Sequence, residues 1–260
     1  MESPLHAWWK VFKEEPEEAT DATDIGTIAH DLILGGSDRM AIIDHDDYRT
    51  KAAKEARDAA RAEGKIPVKR GKIAEIYRCV DSVKDFLIAN DLQLTGQSEC
   101  EIEWEQDGVA CAGRIDHHWA PDHPMILDLK FVENAHPESL ASACIRYGYD
   151  IQAAAYTSAL EHLHPELAGR VDFLFVFAEK APPFAITPVR LGGSMKALGQ
   201  SRWARAIDLW RHCMEAYGPE TPWPSYTDQV ERVLAPAWAV AAETEASEKF
   251  AALIEGGIEL

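Results

Sequence analysis

An acid and an amine stand two residues apart in the hydrophobic run 125–132, Met-Ile-Leu-Asp-Leu-Lys-Phe-Val. Side chains alternate across a strand, so Ile126, Asp128, Lys130 and Val132 share one face and Met125, Leu127, Leu129 and Phe131 the other. A charge is costly to bury unless it is paired or bound to a metal. Asp128 and Lys130 therefore form either a structural ion pair or a piece of a reaction site. Asp116 ends the preceding strand, and antiparallel neighbours joined by a short connection bring such side chains within ~5 Å on one face. Two carboxylates with an imidazole, His30, suit Mg²⁺ or Mn²⁺, leaving room for water and phosphate oxygens. An ammonium beside them, Lys130, could position or help deprotonate an attacking water and stabilise charge developing on a phosphorus centre.

The elements that must position these residues are legible in the pattern of the chain. Ser3-Pro4 opens an aromatic-faced helix over 3–13. An acidic connection leads to a helix over 24–34 that carries His30 and stops at Gly35-Gly36. Residues 48–63 form an Ala-rich charged helix broken by Gly64 and Pro67, and 73–90 an amphipathic one. Strict alternation over 99–104, the hairpin turn Asp107-Gly108, the return over 109–116 and the run 125–132 give a three-strand meander. Residues 137–163 are mainly helical, 171–178 a buried strand and 194–217 a final amphipathic helix. This order predicts an α/β (α+β layered) fold with a mixed central sheet flanked by helices. A single domain is expected over 1–238, with a helical N-terminal region over 1–92 and a catalytic core over 93–217, followed by an acidic, mobile tail over 239–260.

Composition sets bounds on partners. Of 260 residues, 47% are hydrophobic and 27% charged, as in a soluble globular protein. No apolar run approaches the ~20 residues that span a bilayer, and Met1-Glu2-Ser3-Pro4 does not open a signal peptide, so no membrane and a cytoplasmic location are expected. The five scattered cysteines contain no CxxC pair, against a zinc ribbon or iron–sulfur cluster. A net charge of −18 argues against non-specific coating of nucleic acid. The charge is segregated, however. Nine basic residues, Arg49, Lys51, Lys69 and Arg70 among them, lie between positions 49 and 72 against Glu55, Asp58 and Glu63.

The pattern Asp116, then Asp128-x-Lys130, resembles the PD-(D/E)xK nuclease motif. Gly26-Thr-Ile-Ala-His30, Gly113-Arg-Ile-Asp116, Asp128-Leu-Lys130 and Gln152-Ala-Ala-Ala-Tyr156 are similar, in order and spacing, to the motifs of the RecB-like branch and of the RecE-type (exonuclease VIII-like) phage exonucleases. Supporting similarity at Ser3-Pro-Leu-His-Ala7, Tyr48-Arg-Thr-Lys51, Ser98-Glu99 with Trp104, Trp223-Pro-Ser-Tyr226 and Pro236-Ala-Trp238 extends the match over residues 3–238. The family usually has more chain ahead of the Ser-Pro helix.

The resemblance implies a restriction-endonuclease-like core in which His30, Asp116, Asp128 and the Leu129 carbonyl bind metal, Mg²⁺ or Mn²⁺ and two ions in number. It makes Lys130 the catalytic lysine and gives Glu99 a role through a metal-bound water, with Glu101 and Glu103 on the same strand face. Gln152 and Tyr156, four apart on a helix, would touch DNA or buttress the metal site. Arg114 would contact phosphate or partner the carboxylates. The function implied is a metal-dependent exodeoxyribonuclease that degrades linear double-stranded DNA 5′ to 3′, leaving 3′ overhangs for a RecT-like single-strand annealing protein. A ring-shaped homo-oligomer would enclose the DNA, with Arg49, Lys51, Lys69 and Arg70 lining its channel. The alternatives are a RecB-like nuclease of repair or CRISPR adaptation, and a non-catalytic DNA-end-binding protein with a degenerate site.

Overall fold

The structure, a computed structural model, describes residues 3–14, 21–35 and 39–255. Gly36, residues 15–20 of the acidic connection and residues 256–260 of the tail lie outside the described residues. The chain divides into two compact units, one of residues 14–220 and one that combines the first 13 residues with those from 221 onward.

In the larger unit the core is a five-stranded sheet. Its strands are β3 (Gln97–Gln106), β4 (Val109–His118), β5 (Met125–Val132), β6 (Asp172–Glu179) and β7 (Ile186–Arg190), side by side in that order. Only β5 and β6 run parallel; every other pair is antiparallel, so the sheet is mixed as expected. The crossover between β5 and β6 carries α5 (Pro137–Tyr147) and α6 (Tyr149–Leu163), separated by Gly148 in the left-handed conformation at φ 72°. The sheet buries both faces, which is why β5 and β6 read as nearly continuous apolar runs. On one face Ile126, Phe173, Phe175 and Phe177 pack with Leu140, Cys144, Ala159 and Leu160 of α5 and α6. On the other, Leu127, Leu129, Leu174 and Val176 pack with Ile28 and Ile33 of α2 (Asp21–Leu34) and Ile76, Val80 and Val83 of α4 (Ile73–Ala89). Each of these large apolar side chains contributes roughly 1.5–3 kcal/mol on burial. The long helix α7 (Gly193–Tyr217) lies against α6, and Gly199 allows this approach: a Cβ there would stand 2.2 Å from the Asp150 carbonyl oxygen.

Several elements depart from the expected order. Residues 40–43 and 66–69 form strands β1 (Met40–Ile43) and β2 (Ile66–Lys69), paired in parallel as a separate two-stranded sheet, with the charged helix α3 (Lys51–Ala62) as their crossover. Strand β7 is a further addition to the expected elements. Residues 239–255 of the expected acidic tail form part of helix α8 (Ala237–Glu255), and α7 is therefore not the final helix. The reason is composition: that segment is rich in Ala and Glu, which favour helix even without a packed face. In the smaller unit, α1 (Pro4–Phe12) packs Phe12 edge-on against Trp223 at 6.0 Å, and Leu5 N donates to Pro224 O at 3.0 Å.

Candidate active site

The sheet opens around Asp116. Between β3 and β4 the pairing runs regularly, yet Glu99 and Asp116, which fall opposite each other in that register, are unpaired. Glu99 has φ 51°, a left-handed conformation that costs an L-residue roughly 1–2 kcal/mol. On the other side, β4 and β5 pair only at His117 with Leu127 and His118 with Ile126. Beyond them the Leu129 amide donates to Asp116 Oδ2 at 2.8 Å, a side chain standing in for the missing ladder bond. Strain of this kind persists where surrounding contacts enforce it, and it concentrates at functional sites.

Those contacts come from α2. Gly26 lets the helix lie close on β5, since a Cβ there would stand 3.3 Å from Phe131 Cβ. One turn on, His30 reaches into the opening: Nε2 lies 2.8 Å from Asp116 Oδ2 and Nδ1 lies 3.1 Å from Glu99 Oε1. Burial works against protonation of this imidazole, but the hydrogen bond to Asp116 and the charges of Asp116, Glu99 and Asp128 outweigh it and hold its pKa above the ordinary histidine value. The backbone turn at Glu99 distinguishes it from its neighbours, for Glu101 and Glu103 face solvent.

One nitrogen and two carboxylate oxygens of His30, Glu99 and Asp116 lie within 4.8 Å of one another. This donor set suits a hard divalent cation. Glu99 Oε1 is buried, and the His30 approach is not aligned as a hydrogen bond, so this oxygen lacks a donor that a cation would replace. The residues therefore fit a metal.

Asp128 is not one of the three. It is 1% exposed, and its two oxygens are engaged differently: Oδ2 accepts from Gln152 Nε2 at 2.6 Å, and Oδ1 lies 2.6 Å from Lys130 Nζ. The ammonium is close but outside hydrogen-bond alignment, which leaves Oδ1 charge-balanced without a directed donor. Burial first, and the charge of Asp116 second, push the Asp128 carboxyl up, while Lys130 and His30 pull it back. Burial opposes the charge on Lys130, but Asp128 more than compensates and its pKa is raised, which favours the ammonium form. Lys130 Nζ also lies 5.1 Å from the centre of the Tyr149 ring. Tyr156 acts as a buttress: a Cβ on Gly113 would meet its Cε1 at 2.6 Å, so the glycine of β4 is the seat of the Tyr156 ring.

A cleft of about 590 Å³ collects His30, Asp116, Leu129, Lys130, Gln152, Tyr156 and Arg114. Arg114 Nε pairs with Glu99 Oε2 at 3.0 Å. The cleft also contains residues that spacing gave no means of finding. Arg39 is held by Asp31, with Nε 2.8 Å from Oδ2, and Lys180 Nζ lies 2.6 Å from Glu133 Oε1. Every cation lining the cleft thus has its own carboxylate. Arg49, Lys51, Lys69 and Arg70 are not brought to it. Arg49 pairs with Asp47, Lys51 with Glu55 and Arg70 with Asp44, and Lys69 lies over the Tyr48 ring. A separate cavity of about 400 Å³ between α6 and α7 holds none of the expected site residues.

Asp116 on one strand, followed by Asp128-x-Lys130 on its neighbour, keeps the order of the PD-(D/E)xK motif, and the comparison of sequences agrees. The family described as a PDDEXK-like domain of unknown function (DUF3799) matches residues 1–233. The chain belongs to this family. Its resemblance to a PD-(D/E)xK core is therefore shown, and the layered α/β fold is that of a nuclease core. No curated protein matches the sequence. Among solved structures, a candidate exonuclease from Eubacterium rectale is similar over 92% of this chain and 86% of its own, at 12% identity and a TM-score of 0.53, a likeness of fold. A second, SSO0001, overlaps 80% of this chain and 85% of its own at 12% identity, with a TM-score of 0.30 that is too low to bear on the argument. This PDDEXK-like chain is of the nuclease type. Among its described residues no helix is long and apolar enough to cross a membrane.

Proposed function

We propose that this protein is a metal-dependent exodeoxyribonuclease that acts on linear double-stranded DNA, 5′ to 3′, and leaves 3′ single-stranded overhangs. The observation that carries the chemistry is the group of His30, Glu99 and Asp116 within 4.8 Å, beside the buried Asp128–Lys130 pair. His30, Glu99 and Asp116 would hold Mg²⁺, or Mn²⁺ in its place, and a second ion shared by Asp128 rests on the motif resemblance. Bound there, the metal would supply Lewis-acid activation of water and neutralise charge on the phosphate.

The protein's own residues do the rest. Lys130, fixed as an ammonium by Asp128, orients the attacking water by donating to it and stabilises negative charge on the phosphoryl oxygens. Gln152 fixes the orientation of the buried Asp128 carboxylate by donating to its Oδ2, and Tyr156 on Gly113 sets the position of α6 and hence of Gln152. The 5′ polarity, the ring-shaped oligomer and delivery of the overhang to a RecT-like annealing protein rest on the RecE-type resemblance of the motifs. The net charge of −18 supports the ring, because an acidic exterior discourages binding anywhere but in the channel.

The test is digestion of matched linear and circular duplexes in Mg²⁺, with labelled 5′ and 3′ ends. Prompt release of the 5′ label, with progressive shortening of the 3′-labelled strand, is expected in the linear form alone. Cleavage of the circle would remove the exonuclease assignment, and binding without cleavage of either would point to a DNA-end-binding protein.

A further inference from the structure

Beside the cleft, and sharing Phe131 and Lys180 with it, lies a second groove of about 570 Å³. Its remaining walls are built from the turn after β5, from α5 and from the start of α6, including Asn134, Ser139, Arg146, Tyr147 and Tyr149. The left-handed Gly148 reverses the chain between α5 and α6, which places the Tyr147 and Tyr149 rings 5.8 Å apart and tilted by 32°. Tyr149 is half-buried against Phe175 and Phe177, with ring centres at 5.8 and 5.7 Å, and its ring lies over Lys130 Nζ. Tyr147, in contrast, is 64% exposed. A large aromatic ring is thus fixed from behind by the residue that touches the catalytic ammonium, and it is open in front.

Flat exposed rings next to cations are how proteins hold unpaired bases without reading their sequence. The cations are at hand: Arg146 is exposed at the groove, and Lys180 pairs with Glu133, which is 77% exposed and so placed to give way to a phosphate. We propose that this groove seats unpaired bases of a DNA strand next to the phosphate being cut, with one base stacked on Tyr147. The proposal rests on the nuclease reading above and adds to it the form in which the substrate enters: a strand already separated at its end. Asn134 Oδ1 accepts from His136 N at 2.7 Å and Ser139 Oγ donates to His136 O at 2.8 Å, so these groups are engaged in the turn and leave stacking as the main contact to a base, which fits tolerance of sequence.

The experiment is fluorescence anisotropy in EDTA with a fluorescein-labelled linear duplex that carries a short thymidine tail, and with the same duplex whose tail is abasic. Tyr147→Ala should weaken binding of the thymidine-tailed duplex by roughly 5- to 150-fold, as loss of one stacked base does, and Tyr147→Phe should stay within about 2-fold of wild type. Wild type should bind the abasic tail as weakly as Tyr147→Ala binds the thymidine tail, and Tyr147→Ala should lose nothing further on the abasic one. Equal binding of the thymidine tail by wild type and Tyr147→Ala overturns the proposal, as does an equal loss on the abasic tail in both. If wild type degrades linear DNA while either of those overturning results is found, only the groove assignment falls. If wild type neither binds nor cuts DNA, the nuclease reading falls and takes this proposal with it. Tyr147 is solvent-facing, so a circular dichroism melt matching wild type is expected for each variant.

Discussion

Removal of the Gln152 side chain tests the electrostatics of the site. In the metal-free protein, Gln152→Ala takes away the aligned donor to Asp128 Oδ2, leaving a fully buried carboxylate with Lys130 alone. A hydrogen bond to a charged group is worth about 1.5–3 kcal/mol, and burial leaves no solvent to replace it. Burial and Asp116 raise the Asp128 pKa above its unfolded value, so the folded protein keeps this proton to a higher pH than the unfolded chain does. The associated stability is complete below the unfolded pKa and is lost as pH rises through the folded one. Loss of the Gln152 donor raises the folded pKa further. The variant therefore goes on losing stability where the wild type has levelled off. Urea titrations in EDTA should show a small difference near about pH 5, from the cavity alone, that grows by about 1.5–3 kcal/mol at high pH. A difference that stays constant over that range would refute the reasoning, because Gln152 would then be packing against Asp128 without sustaining its charge. Cleavage should fall by roughly 10- to 100-fold, as it does when groups that orient metal-site residues are lost.

Three further outcomes are expected. Asp128→Ala and Lys130→Ala should each reduce cleavage by orders of magnitude, and the double variant little further, since such groups act as a unit; full additivity in kcat would contradict this. Glu99→Gly should be more stable than Glu99→Ala by about 1 kcal/mol in thermal melts, because only glycine adopts φ 51° without strain, while both lose Mn²⁺ affinity by calorimetry. Mn²⁺ binding should release protons and weaken as pH falls through the raised pKa of His30, which must give up its proton to act as a ligand; calorimetry in buffers of different ionisation enthalpy that detects no released proton would exclude His30 from the ligand set.

The central meander and its acid and lysine were legible because alternation is a strong signal over 99–104 and because β5, buried on both faces, reads as an apolar run in which two charges stand out. Of the strands that the pattern did not reveal, β1 is only four residues long, and the other two share a different property. β2 and β7 each contain a proline, Pro67 and Pro188, which argues against a strand unless it lies at an edge. Both strands do lie at edges, one in a two-stranded sheet and one at the end of the five. Within the site, alternation puts Glu99, Glu101 and Glu103 on one face, and only the left-handed backbone turn at Glu99 separates the first from the others. Asp31 could have been noticed as an acid next to His30 on the helix. Its partner Arg39, and Lys180 at the end of β6, enter the cleft through packing of distant elements, which leaves no mark in local spacing.

The matched charges of the cleft have a consequence for how the protein meets a polyanion. Arg39, Arg114, Lys130 and Lys180 are each neutralised by a neighbouring carboxylate. A protein that binds DNA through unpaired cations gains affinity by releasing condensed counterions, and its binding falls steeply with salt. Here each phosphate would have to displace an internal acid before it gained a cation, so few counterions are released for each contact. Binding would show a shallow dependence on ionic strength, and recognition would depend on the shape of a strand end, which suits an enzyme that must ignore the far larger length of intact duplex around it.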